Sequence, residues 1–248
     1  MNDLIASNKR RTVFLMFGFV IFLVAVGLAV GTLIGNGVTG TVIALVISAV
    51  MAMTSYWKSD KIALAVSRAV PADVNEYRRL HNLVEGLCIA GGLPKPQVYI
   101  IHDDAPNAFA TGRNPKNAAI AITTGLLNQM NRVELEGVVA HELSHIKNYD
   151  ILVSTLAVTL VGSIALITDM TLRMMWWNGG RVSRSGDRGD RGNPIAIIGF
   201  VLLLVSPLIA RAMQAAVSRR RETLADVSGV RMTRYPPGLI SALEKLQA

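Results

Sequence analysis

A chain of 248 residues is long enough for one or two domains, yet only 17% of it is charged and 51% is hydrophobic, against roughly 25% charged in a soluble domain. The net charge of +8 does not point to nucleic acid: the basic residues flank apolar runs (Lys9/Arg10/Arg11, Lys58/Lys61, Arg211, Arg219/Arg220/Arg221) and no aromatic platform accompanies them. A single cysteine, Cys88, excludes an internal disulfide and a cysteine-rich metal site, and reads as a small buried residue.

From Thr12 to Trp57 there is no charged residue, about twice the length that one bilayer crossing needs. A first crossing runs from about Val13 to Ile34, Gly35-Asn36-Gly37 turns the chain, and a second runs from about Val38 to Tyr56. The apolar stretch continues after its turn, unlike a cleaved signal peptide. Basic residues at both outer ends place those ends in the cytoplasm and the turn outside. Residues 1–57 therefore read as a transmembrane hairpin.

Residues 58–150 have the composition of soluble protein. A helix is expected to start at Ala72-Asp73-Val74-Asn75-Glu76, with Leu80, Leu83, Val84, Leu87 and Ile89 at helical spacing, and to stop at Gly91-Gly92. Pro96–Ile101, Asn107–Gly112 and Ala118–Thr123 read as short strands. Asn131 followed by Glu134 is the signature of a capping box, opening a helix with apolar positions Val133, Leu135, Val138, Val139, Leu143 and Ile146.

That helix carries Val138-Val139-Ala140-His141-Glu142-Leu143-Ser144-His145. The chain holds only four histidines, and two stand here, one helical turn apart, so both imidazoles face one point. Zinc takes nitrogen ligands at about 2 Å, and a catalytic site uses three protein ligands with one position left for water. Glu142, beside the pair, is placed to take a proton from that water. Gly137, one turn earlier, leaves room for a second backbone or a substrate.

Ile151–Thr168 and Ile195–Ala210 form a second apolar hairpin, residues 151–210, around a polar Gly/Arg-rich loop at 179–193. Both runs are expected to cross, although this places the arginine-rich loop outside, against the charge bias. Residues 211–248 are then a helical C-terminal part. The third ligand is open on spacing alone: His81, His102, or the pair Glu222 and Asp226 on a helix behind the fourth run, where one carboxylate would coordinate and the other orient a histidine. The same acidic pair also suits a solvated face offsetting Arg219, Arg220 and Arg221.

His141-Glu142-Leu143-Ser144-His145, followed distantly by Ser218-Arg219-Arg220-Arg221-Glu222-Thr223-Leu224-Ala225-Asp226, resembles the HtpX-type membrane zinc metalloproteases, relatives of the CAAX prenyl endopeptidases. Asn107-Ala108-Phe109-Ala110-Thr111-Gly112, Ile122-Thr123-Thr124-Gly125-Leu126-Leu127 and Tyr235-Pro236-Pro237-Gly238-Leu239 look like further motifs of that family, and the likeness covers nearly the whole chain. The resemblance implies one zinc ion per chain on His141, His145 and Glu222, with Glu142 as general base and Asp226 as partner of a ligand. It also implies an endopeptidase of the bacterial inner membrane, its catalytic part facing the cytoplasm, that cuts misfolded or unassembled membrane proteins. Family members continue past Leu246-Gln247-Ala248 into a segment with a His-Pro motif, taken in the prenyl-protease relatives to stabilise the tetrahedral intermediate; no histidine follows His145 here.

The expected architecture is an α-rich α+β membrane protein, a zincin-like domain with a small sheet and about four transmembrane helices. Its expected partners are the bilayer and peptide or membrane-protein substrates, which would add as a strand along an exposed edge at Asn107, Ala108, Phe109 and Ala110. The competing expectations are a membrane scaffold with a structural zinc site and an inactive fragment lacking the C-terminal motif.

Overall fold

The computed structural model describes residues 2–34, 36–157 and 219–247, with isolated positions at 162, 169 and 173. Most of the second apolar hairpin, including the loop at 179–193, lies outside the described residues. The chain is helix-rich with one small mixed sheet, and it divides into two units: residues 13–56 with 157–216, and residues 1–12, 57–156 and 217–248.

α1 (Asn2–Ile34) and α2 (Gly37–Val66), whose residues 13–56 lie in the first unit, contain the two stretches long and apolar enough to cross a membrane, Ala6–Leu28 and Gly37–Val66. Asn36 closes the turn between them by accepting the Thr39 N–H at 3.1 Å, an N-cap for α2. Phe19, Leu23 and Ala52 pack together. Gly27 lies so close to Ala44 and to the Gly40 carbonyl that a Cβ there would collide, which is how small residues let membrane helices approach. Phe14, Phe17, Val42, Val50 and Met53 face outward, each more than half exposed. A continuous apolar surface of this kind is what lipid covers.

In the second unit the sheet has the order β1-β2-β4-β3, built from β1 (Val70–Pro71), β2 (Gln97–Ile101), β3 (Ala108–Gly112) and β4 (Ala118–Thr123). β2 pairs parallel with β4, while β3 and β4 are antiparallel and leave β3 on an edge. Ile100, Ile120 and Ile122 are fully buried and join Val84, Leu87, Leu126, Val139, Leu143 and Ile146 in one core. α3 (Arg78–Gly91) and α4 (Thr124–Gln129) flank the sheet. Cys88 belongs to this core at 2% exposure, and burial pushes its thiol up to about 11, so it packs as an apolar residue.

Several boundaries differ from expectation: α1 begins at Asn2 and α2 continues to Val66, past the expected ends of the two apolar runs. The helix expected at Ala72 starts at Arg78 instead. Ala72 donates its N–H to the Val98 carbonyl, and the Asp73 carboxylate accepts the N–H groups of Asn75 and Glu76. Those bonds hold 70–77 as a strand end and a turn, the local competition with helix that aspartate favours. At the other end Gly92, with φ 66°, closes α3 as expected: its N–H reaches Ile89 O and the Leu93 N–H reaches Cys88 O.

α5 (Arg132–Lys147) begins with the expected capping box, Asn131 and Glu134 each bonding the other's backbone. The same Glu134 carboxylate, 3% exposed, receives Ser241 Oγ at 2.6 Å and Lys245 Nζ at 2.7 Å from α7 (Pro236–Gln247). The Lys245 ammonium, then Ser241 and the Asn131 N–H, hold this carboxyl down to about 2. The space left by Gly137 is filled by backbone: a Cβ there would sit 2.8 Å from Leu239 N and 2.9 Å from Leu239 Cα. Gly137→Ala gains about 1 kcal/mol of helix propensity, but separating the two backbones costs about 1–3 kcal/mol. The clash wins, and thermal unfolding of the variant is expected at lower temperature.

Candidate metal centre

α5 is the floor of the site. Val139, Ala140, Leu143 and Ile146 are fully buried on it, which turns His141, Glu142 and His145 toward the opposite, partly open side. The two imidazoles stand edge to face with centroids 4.8 Å apart, and their Nε2 atoms are 3.2 Å apart. α6 (Arg219–Thr233) crosses α5 at Gly229, where a Cβ would lie 3.0 Å from His141 N; any larger residue would push α6 away. With Ala225 also fully buried, α6 brings Glu222 Oε2 to 3.5 Å from His141 Nε2 and 3.7 Å from His145 Nε2.

The hydrogen bonds on the far sides of the rings define the charge of this cluster. Asp226 Oδ1 lies 2.8 Å from His141 Nδ1, and Asp150 Oδ2 lies 3.3 Å from His145 Nδ1. A carboxylate only accepts, so each Nδ1 carries a hydrogen and each Nε2 faces the space between the rings. Two ring nitrogens and a carboxylate oxygen then converge on one point. That is repulsive unless a cation or a proton fills the gap.

The spacing fits a metal ion. Two atoms each about 2.0–2.1 Å from a tetrahedral zinc lie about 3.3–3.4 Å apart, and the three separations here are 3.2, 3.5 and 3.7 Å. Among the described residues, His141, His145 and Glu222 are the group of histidines and acids that could hold a metal ion. The other candidates for a third ligand go elsewhere: His81 Nε2 pairs with the Ala72 carbonyl, and His102 is exposed beyond the end of β2.

Glu142 lies next to the cluster and accepts the Ala110 N–H, at 3.0 Å, from edge strand β3. Burial raises its pKa, opposed by the imidazoles of His145 and His141 and by the Ala110 bond. Burial by itself pulls His145 down, but the Asp150 hydrogen bond and the carboxylates of Glu142 and Glu222 outweigh it and raise its pKa. A proton therefore competes for the place a cation would take. Of the expected edge residues, Ala108, Phe109 and Ala110 lie on β3, while Asn107 precedes it and bonds Thr123 through its backbone.

Asp150 escaped the sequence reading. Asp150 follows the helix end at Tyr149, whose φ of 60° reverses the chain and returns the carboxylate to His145. Its available signal was an acid five residues beyond a histidine at the head of an apolar run. Ala110 was expected on the edge strand, but its N–H bond to Glu142 had no signal that spacing could reveal, because it is a tertiary contact.

Two histidines one turn apart on α5, a carboxylate from a second helix, and a glutamate on α5 held by the edge strand β3 form the kind of site a metallopeptidase uses. Residues 75–247 match peptidase family M48. A protease HtpX homolog of Thermoanaerobacter pseudethanolicus is 46% identical over 98% of this chain and 82% of its own length, and one of Listeria monocytogenes serotype 4a gives the same three figures. The crystal structure of S. mikatae Ste24p superimposes with a TM-score of 0.52 at 21% identity, covering 100% of this chain. This chain spans 60% of that one, and the likeness bears on the fold. The chain belongs to peptidase family M48, among the HtpX-type membrane metalloproteases.

Proposed function

We propose that this protein is a zinc-dependent endopeptidase of the bacterial inner membrane that hydrolyses misfolded or unassembled membrane proteins from the cytoplasmic side. The observation that carries the reading is the convergence of two imidazole nitrogens and one carboxylate oxygen at tetrahedral spacing. His141, His145 and Glu222 would hold one ion. When bound, zinc supplies a Lewis acid that polarises a peptide carbonyl and lowers the pKa of water at its open position.

The remaining chemistry belongs to side chains of the chain itself. Glu142 accepts a proton from the attacking water and returns it to the leaving amine, and its raised pKa suits both directions of transfer. The Ala110 N–H fixes one of its oxygens and leaves the other for the proton. Asp226 and Asp150 hold the two rings in the tautomer that presents Nε2. β3 is an edge strand, so an unfolded substrate segment can pair with it through main-chain bonds and little side-chain selectivity. A structural zinc site of a scaffold would use four protein ligands; three donors beside a carboxylate favour catalysis.

In this reading α1 and α2 cross as a hairpin with the basic ends in the cytoplasm, and the runs 151–168 and 195–210 add two further crossings. The site stands shortly before residue 151, close to the membrane surface, so a substrate anchored in the same bilayer meets it at high effective concentration. The test is cleavage by the full chain in lipid vesicles of one unfolded segment, either fused to a transmembrane helix or free in solution. We expect kcat/KM to be at least tenfold higher for the anchored form, with both cleavages stopped by a zinc chelator and restored by zinc. Equal rates for the two forms would remove the membrane-substrate assignment.

A further inference from the structure

The start of α1 belongs to the same unit as the candidate metal centre and reaches it through a side chain. Asn8 lies near the start of α1 and is 5% exposed. Its Nδ2 donates to Asp150 Oδ1 at 2.7 Å and to the Asn148 carbonyl at 2.9 Å. Asp150, 3% exposed, uses its other oxygen on His145 Nδ1. The sequence separation is 142 residues, so this link is purely tertiary. It joins a candidate membrane span, Ala6–Leu28, to the partner of an imidazole.

We propose that Asn8 is a positioning residue for the zinc site: it clamps Asp150 and the helix end at Asn148, and thereby fixes the ring of His145. This rests on the zinc reading above. A buried carboxylate with a single partner is free to rotate about its χ angles. With Asn8 on one oxygen and the imidazole on the other, its orientation is set from both sides. The second Asn8 bond, to the Asn148 carbonyl, holds the backbone where α5 ends and Tyr149 turns back with φ 60°. One amide group thus steadies both the carboxylate and the loop that delivers it. The chemical consequence is that the first turns of α1, which belong to the same unit as the site, help complete it.

Outer partners of metal-ligating histidines are typically worth 10–100-fold in metal affinity. The experiment measures zinc affinity of the full chain in detergent by chelator competition, together with amide hydrogen exchange at 148–150 in the zinc-free protein. Asn8→Leu and Asn8→Ala are expected to weaken zinc binding about tenfold and to speed exchange at 148–150. Asp150→Ala is expected to weaken binding by up to about 100-fold, and adding Asn8→Ala to it should cost little more, because Asn8 acts through Asp150. Thr12→Val on the same helix removes a buried hydroxyl that has no partner among the described residues and should change neither quantity. The proposal is overturned if both Asn8 variants bind zinc and exchange like the wild type, or if the double variant shows full additivity. Wild-type protein with no His145-dependent zinc binding would instead overturn the zinc reading, and this inference with it.

Discussion

Glu142→Gln should reduce peptide hydrolysis by about 10²–10⁴-fold, the usual contribution of a positioned acid–base group, while zinc stays bound. Glutamine has nearly the same shape and can still accept the Ala110 N–H through its carbonyl oxygen, so the local packing survives. It cannot take a proton from water at neutral pH. The proposed ligands His141, His145 and Glu222 are untouched, so metal content and thermal stability should match the wild type. Cleavage of an unfolded substrate such as casein, followed alongside zinc content, checks both halves. Unchanged cleavage would take the acid–base role away from Glu142; lost zinc would show instead that this carboxylate supports the metal.

Glu222→Ala should weaken zinc binding beyond the roughly 10–100-fold range expected for outer partners, and activity at limiting zinc should fall with it. The variant removes the one acidic side chain among the three donors and leaves the two rings facing each other, their Nε2 atoms 3.2 Å apart. Asp226→Asn, by contrast, keeps an acceptor beside His141 Nδ1 and should fall within that range. The ordering is the informative part: zinc affinity by chelator competition should run wild type, then Asp226→Asn, then Glu222→Ala. Equal losses in both variants would mean that Glu222 is not a ligand. The side chain of Glu222 is 48% exposed, so its removal opens no core cavity and the fold should persist.

The parts of this molecule that local spacing encodes were legible from sequence. His141 and His145 share a helix face because four residues make about one turn, and the Asn131/Glu134 capping box marks where that helix begins. The charge-free run from Thr12 to Trp57 gives a hairpin because its only break is Gly35-Asn36-Gly37. The pairing of Glu222 with the two imidazoles was open on spacing alone, and the family resemblance selected it. The structure explains the approach through Gly229, where a missing side chain lets α6 come within contact of His141.

What stayed hidden depends on bonds between distant segments. β1 is two residues long and exists because β2 offers an open edge, so no periodicity could announce it. Asp73 reads as a helix start, yet its carboxylate closes a turn and delays α3 to Arg78. Asp150 at the head of an apolar run looks like a membrane-boundary residue until Tyr149 folds it back onto His145. Asn8 carries no local signature at all; its role follows from a contact across most of the chain.

The most direct test of the central claim is zinc-edge X-ray absorption on the purified full chain, with metal content measured on the same sample. The account predicts one zinc per chain with two imidazole nitrogens and a carboxylate oxygen at about 2.0–2.2 Å, and a further light atom from solvent. It also predicts that the imidazole signature disappears in His141→Ala. A protein without zinc, or zinc held by four protein side chains with no solvent position, would contradict it.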